Sequence, residues 1–290
     1  MNISTPTRNW RVIDLINWGT QYFKERHFDN SRREIEWLLG DFLDCKRIDL
    51  YLRFEEPFTT AMLKEFRARI KRRAQHEPLQ YISGRTEFYG YQFEVTPAVL
   101  IPRPETERLV EIGIELLADR TAPRIIDIGT GSGAIAISLA KEVPGAFVVA
   151  IDNSSAAMEV ARRNGELNQL TNIEFTLLDI LTDRPAGQFD LLIANPPYIP
   201  ASEMTKLMPE VRDHEPRSAL TDEKDGLVFY RRISEIASQI LAPGGWLALE
   251  VGSGEQPGKA AKLLTAAGMI GVKTVKDFNG DDRVLIGQIG

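Results

Sequence analysis

The chain has 290 residues, with 35 Lys and Arg against 41 Asp and Glu, 43% hydrophobic residues and a single cysteine. A net charge of −6 argues against broad, sequence-independent duplex binding, which draws on many phosphate-neutralising cations. Lone Cys45 excludes an intramolecular disulfide framework and a multi-cysteine zinc site. The start MNISTPTRNW has no apolar signal core, and no apolar run approaches about 18 residues, so the expectation is a cytoplasmic protein without a membrane partner.

Length alone suggests about two domains, and charge divides the chain in the same way. Residues 1 to 85 carry 16 Lys and Arg against 12 Asp and Glu, leaving 19 and 29 for the rest. The first part reads as helical: Trp10, Ile13, Ile16, Trp18 and Tyr22, then Ile35, Leu38, Leu39 and Phe42 after an Asn30-Ser31 cap, recur near the 3.6-residue period. A third helix follows Thr59-Thr60, with Leu63, Phe66 and Ile70 as its stripe and Lys64, Arg67, Arg69, Lys71, Arg72 and Arg73 opposite. These cations form either a solvated face or a docking face for an acidic or RNA-bound partner. Residues 1–80 are thus expected to be a helical substrate-docking domain.

From Tyr81 the runs YISG, RTEFYG and YQFEV alternate, and residues 81–98 are expected to be a β-hairpin linker. Pro104 suits the first position of a helix through Leu109, Ile112 and Leu116. Strands are then expected at 124–128, 146–151, 173–178, 189–194 and 245–251, with helices near 133–142, 154–168, 225–241 and 256–267. Such alternation implies an α/β fold over 99–290, a mostly parallel sheet covered on both faces with ligands at the strands' carboxyl ends. The ending VKTVKDFNGDDRVLIGQIG reads as two more strands around Asn279-Gly280, giving an antiparallel edge strand.

Strand RIID runs into Gly129-Thr130-Gly131-Ser132-Gly133, and a helix begins there. Glycines allow a sharp turn and close backbone approach to a ligand. Nineteen residues past Gly133, a strand ends at Asp152, where a carboxylate can take both ribose hydroxyls. The loop alone fits either an NAD or an S-adenosylmethionine enzyme. Asp127 favours the second, since a carboxylate ending the first strand suits an α-ammonium better than a pyrophosphate. Asp179 could accept from an adenine amine, or simply cap its loop.

Strand FDLLIA delivers Asn195-Pro196-Pro197-Tyr198 to the same edge. The prolines stiffen the backbone so that the Asn195 side-chain oxygen and a nearby carbonyl can converge on one planar NH2, with Tyr198 stacking on it. A conjugated nitrogen is a poor nucleophile, so the chemistry expected is in-line displacement at a sulfonium methyl, driven by positioning. His27, His76 and His214 show no metal spacing, and no metal is expected. Asn-Pro-Pro-Tyr serves adenine or guanine amino groups as well as glutamine amides, so the motif leaves nucleic acid and protein substrates open.

Taken together, Glu87-Phe88-Tyr89-Gly90, the run Leu100 to Glu107, Asp127 to Ser138, Asn195 to Tyr198 and the ending Asp277 to Arg283 closely resemble the bacterial peptide chain release factor glutamine methyltransferases, the PrmC/HemK family. The resemblance implies a class I, Rossmann-like methyltransferase fold behind a helical domain. It also implies transfer from S-adenosyl-L-methionine, leaving S-adenosyl-L-homocysteine, to N5 of the glutamine in the Gly-Gly-Gln motif of class 1 release factors, the proteins of translation termination. By motif, Asp127, Gly129, Thr130, Gly131, Ser132 and Gly133 would hold the cofactor, Asp152 its ribose, and Asp179 and Ile180 its adenine edge. Asn195 would touch both cofactor and substrate, with Pro196, Pro197 and Tyr198 completing the glutamine site and Phe88 walling it. Ile180 departs from a usual aromatic, which weakens the expected adenine stacking, and His214-Glu215-Pro216 departs from an aromatic-Glu-Pro. No base-recognition domain is visible, and the enzyme is expected to be a monomer. Glutamine methylation of a ribosomal protein and amino-methylation of a nucleic acid base remain the alternatives.

Overall fold

The computed structural model describes residues 9–277 and 279–290. They divide into two compact units, one ending at Ser83 and one spanning Gly84–Gly290. The first contains α1 (Val12–Lys24), α2 (Ser31–Phe42), a 3-10 turn (Arg47–Tyr51), α3 (Thr60–Arg73) and α4 (Leu79–Ser83). Its core joins Leu15, Ile16 and Phe23 to Ile35, Leu38 and Leu39, and to Phe66 and Ile70. The buried face of α1 is Val12, Leu15, Ile16, Gly19 and Phe23, rotated from the expected one. Gly19 explains the rotation: a Cβ there would fall 2.4 Å from Ile35 Cγ1, so α1 and α2 meet at the one position without a side chain. Ile13, Trp18 and Tyr22 are left half-buried, Trp18 and Tyr22 stacked with ring centroids 4.8 Å apart.

The third helix starts where expected, the Thr59 hydroxyl accepting from the Met62 N–H at 3.2 Å. Its basic face is only half surface. Arg69 pairs with Asp41, Arg72 with Glu77, and buried Arg73 with Glu34 at 2.6 Å. The strand expected from Tyr81 is instead α4, since Tyr81 and Ile82 are buried and Ile82 belongs to the helical core; tertiary burial overrides a short alternating pattern.

The second unit opens with a hairpin of β1 (Arg85–Phe88) and β2 (Tyr91–Glu94). It is tied down by buried Asn164, whose Nδ2 donates to the Glu94 carbonyl at 3.0 Å and whose Oδ1 accepts from the Glu94 N–H at 2.7 Å. Then follow α5 (Pro104–Leu116), β3 (Arg124–Ile128), α6 (Ala134–Glu142), β4 (Phe147–Asp152), α7 (Ser155–Leu167), β5 (Ile173–Leu177) and β6 (Phe189–Ala194). The short helices α8 (Pro209–His214) and α9 (Arg217–Leu220) precede α10 (Val228–Ile240), β7 (Leu241–Glu250), α11 (Gln256–Ala266), β8 (Ile270–Lys276) and β9 (Asp282–Gln288).

Strands β3 to β9 form one sheet in the order β5-β4-β3-β6-β7-β9-β8, parallel except for the β7–β9 and β8–β9 pairings. Period-2 alternation sends Ile125 to the core under α5 and α6, and Ile126 and Ile128 to the core under α10 and α11. The chain runs outward from β3 to β5 and returns to β6 on the other side of β3. The carboxyl ends of β3 and β6 therefore flank a topological switch point, where such sheets bind ligands.

Candidate functional site

A cleft open to solvent at its mouth lies at that switch point. All of its lining residues belong to the second unit. Gly129 and Gly131 follow β3, Asp152 ends β4, Asp179 and Ile180 follow β5, and Asn195, Pro196 and Pro197 follow β6. Four separately coded strand ends therefore meet in one place only because these strands are parallel.

The glycine loop takes its shape from left-handed backbone, with φ of 75°, 57° and 84° at Gly129, Gly131 and Gly133, which L side chains adopt only with strain. The Gly129 and Thr130 N–H groups donate to the Ile151 carbonyl at 2.9 and 3.0 Å, pinning the loop to β4. Asp152 is pinned from both sides, accepting from the Gly131 N–H on one oxygen and the Ser154 N–H on the other, each at 2.9 Å. Burial pushes its carboxyl up, and those backbone donors oppose the rise.

Behind the loop, Asp127 is fully buried and accepts from the Thr130 hydroxyl at 2.6 Å, while its Oδ1 has no hydrogen-bond partner. Burial pushes this carboxyl up to about 7. An orphaned acceptor of this kind, beside a loop of left-handed glycines, fits a cationic ligand group. Thr130 and Ser132 are buried, and with Asp127 and Gly133 they shape the loop from behind rather than lining the cleft. Asp179 does line it, and its Oδ1 also accepts from the Leu181 N–H at 3.0 Å, the loop-capping role that an ordinary strand-end Asp plays.

Asn195 sits at the head of a buried chain of hydroxyls. Its Nδ2 donates to Thr106 Oγ1 at 3.2 Å, and the Thr106 hydroxyl donates to Glu250 Oε2 at 2.7 Å. Glu250 Oε1 accepts from the Tyr198 hydroxyl at 3.3 Å. Burial pushes both the Glu250 carboxyl and the Tyr198 phenol up. The Tyr198 carbonyl accepts from Gln256 Nε2 at 2.7 Å, and Gln256 Oε1 accepts from the Gly252 N–H at 2.8 Å, so the motif is braced by α11 as well. Glu215 is buried, pairs with Arg103 and accepts from the Ile101 N–H at 3.4 Å, which holds Pro216, Ser218 and Ala219 on the cleft's far wall.

Phe88 is placed differently from the expectation. It is 1% exposed, in edge contact with Phe93 inside the core under α5 and α6, and it is not among the residues lining the cleft. Its strand position alternates inward, and an aromatic side chain there fills the core. The aromatic that does line the cleft is Phe229, together with Leu178. Among the described residues no cluster of His, Cys, Asp and Glu could hold a metal ion, and no helix is long and apolar enough to cross a membrane.

Residues 14–84 match the PrmC N-terminal domain, and residues 108–211 match the methyltransferase small domain. The release factor glutamine methyltransferase of Geobacter sulfurreducens is 42% identical over 283 residues, covering 97% of this chain and 98% of that one. The chain belongs to the release factor glutamine methyltransferase family. The corresponding protein of Chlorobaculum tepidum is also 42% identical, over 95% of this chain and 96% of its own. Among solved structures, the hMettl16 catalytic domain in complex with the MAT2A 3'UTR hairpin 1 aligns with a TM-score of 0.59 at 17% identity, covering 94% of this chain and 91% of that one. A methyltransferase from Pyrococcus furiosus aligns at 0.51 and 22% identity, covering 70% and 91%. These two likenesses show the class I methyltransferase fold.

Within this family member, sequence reasoning missed the partners that lie far off in the chain: Thr106, Phe229, Glu250 and Gln256. Thr106 stood within the quoted run Leu100 to Glu107, yet nothing in that run says that its hydroxyl meets a carboxylate 144 residues on. The signal available for Glu250 was a carboxylate ending an apolar strand, the same signal that marked Asp127 and Asp152.

Proposed function

We propose that the cleft binds S-adenosylmethionine and that the enzyme transfers its methyl group to the side-chain amide nitrogen of a glutamine held at Asn195 to Tyr198. The family acts on release factors, and the glutamine is that of the Gly-Gly-Gln motif. The observation that carries this reading is the convergence of a ribose-type carboxylate, Asp152, and an NH2-accepting motif, Asn195 to Pro197, on one cleft.

When bound, the cofactor supplies an electrophilic sulfonium methyl. Asp152, held open by two backbone donors, suits the ribose diol, and Asp179, Ile180, Leu178 and Phe229 suit the adenine, Phe229 providing an aromatic surface that Ile180 lacks. Asp127 places a carboxylate behind the glycine loop, where its charge balances the methionine ammonium. Asn195 Oδ1, which no described residue hydrogen-bonds, accepts from the glutamine NH2. Acceptors at that nitrogen grow stronger as positive charge develops on it during attack, which lowers the barrier without prior deprotonation. Pro196 and Pro197 have no N–H to compete for the same acceptors.

The helical unit is the docking module in this reading, and the enzyme works as a cytoplasmic monomer without metal or direct nucleic acid recognition. Exposed Lys64 and Lys71, with half-buried Arg67, whose Nε is turned inward, remain to meet an acidic partner after the other three cations of α3 are paired within the helical unit. Tritiated methyl transfer tests the substrate choice when a release factor, ribosomal proteins and RNA are offered together. The label should enter the release factor; label confined to ribosomal protein or to RNA would select one of the alternatives instead.

A further inference from the structure

We infer that Thr106 and Glu250 are positioning residues that decide which end of the Asn195 amide faces the substrate. The inference rests on Asn195 being the acceptor for the glutamine NH2. An amide is nearly symmetric in shape but opposite in polarity at its two ends, so packing alone cannot tell Oδ1 from Nδ2. Presented the wrong way, Asn195 would aim a donor at the donor it has to hold.

The buried chain behind it removes the ambiguity. Glu250 is 2% exposed and ends β7, and each of its oxygens accepts a hydroxyl, Oε2 from Thr106 and Oε1 from Tyr198. The Thr106 hydroxyl, itself 4% exposed on the first turn of α5, has one proton and gives it to Glu250 at 2.7 Å. That leaves Thr106 Oγ1 with only lone pairs toward Asn195, so Nδ2 must point at it and Oδ1 must point away. The chain's polarity thus runs from the carboxylate outward, and Asn195 inherits it. Neither Thr106 nor Glu250 lines the cleft, so each acts through Asn195 rather than on substrate or cofactor. Rigid surroundings hold the anchor in register: the Tyr230 hydroxyl donates to the Glu250 carbonyl at 2.7 Å, and α5 packs against β7. Arg283, held at 3.0 Å by Asp277, lies near enough to lower the cost of the buried charge.

The test is a set of variants assayed with release factor at saturating S-adenosylmethionine. Thr106→Val keeps the shape and removes the hydroxyl; it should lower kcat roughly 10- to 100-fold, while calorimetry shows cofactor affinity within about twofold and melting shows a folded protein. Thr106→Ser keeps the hydroxyl and should restore kcat to within about threefold of the parent. Thr106→Ala serves in place of the Val variant should that one fail to fold. In an Asn195→Ala background, Thr106→Val should cost nothing further, because there is no longer an amide to orient. Normal turnover in Thr106→Val beside a crippled Asn195→Ala, or losses that multiply in the double variant, would overturn the inference and leave the role of Asn195 standing. Normal turnover in Asn195→Ala would instead overturn the reading on which it rests.

Discussion

Cofactor binding at the glycine loop should expel a proton from Asp127. Burial brings that carboxyl up to about 7, against about 4 for a solvated aspartate. At pH 6 such a group is about 90% protonated, and a neighbouring ammonium that restores an ordinary carboxylate drives off nearly all of it, about 0.9 proton per site. At pH 8 the same step releases only about 0.1. Titration calorimetry in buffers of different ionisation enthalpy reads this number as the slope of apparent heat against buffer enthalpy. Asp127→Asn cannot titrate, so subtracting its slope isolates Asp127 from Asp152, whose carboxyl burial also raises. The same group bears on stability. A carboxyl raised in the folded state contributes stability that is full below its unfolded value near 4 and lost as pH rises through about 7, at most about 4 kcal/mol. The ligand-free enzyme should therefore melt lower at pH 8 than at pH 5, and Asp127→Asn should flatten the difference. Equal proton release at pH 6 by the parent and by Asp127→Asn would refute the reasoning.

Asn195→Ala should lower kcat roughly 10²- to 10³-fold with cofactor affinity nearly intact, whereas Asp152→Ala should weaken cofactor binding; calorimetry of both separates the two roles. Charge reversal at Lys64, Arg67 and Lys71 should raise KM for the whole release factor and reduce its salt dependence, with kcat within a few-fold and a short Gly-Gly-Gln peptide methylated equally by both enzymes. Phe88→Ala should cost about 3–5 kcal/mol in urea unfolding as a core truncation, while Phe88→Leu leaves KM for the Gly-Gly-Gln peptide unchanged, the result a core residue gives and a pocket wall does not.

Local chemistry was legible wherever a single stretch of chain carried it. Gly129 to Gly133 announced a ligand loop because glycine takes up, without the strain a Cβ brings, the left-handed backbone found at Gly129, Gly131 and Gly133. The central strands β3, β4 and β6 read correctly because a strand buried on both faces is a near-continuous apolar run, whereas β7 begins at Leu241, before the expected 245, because its first residues Ala242 to Gly245 carry no apolar run. Period fails where packing is irregular. Gly19 turned the buried face of α1, and Tyr81 and Ile82 went into a helix because the helical core had room for Ile82. The short helices α8 and α9 carry too few turns for a period to register. Side-chain networks were the least legible part. The Thr106–Glu250–Tyr198 chain joins three elements that only the folded sheet brings together, and the ion pairs of Arg69, Arg72 and Arg73 are invisible in a count of charges.

Mass spectrometry of a class 1 release factor after incubation with this enzyme and S-adenosylmethionine bears on everything above. One methyl, about 14 Da, should appear on the peptide containing Gly-Gly-Gln, with fragmentation placing it on the glutamine side chain. A release factor whose Gly-Gly-Gln glutamine is replaced by glutamate should gain nothing. An unmodified glutamine in the natural factor, or a methyl placed on any other residue, would contradict the assignment.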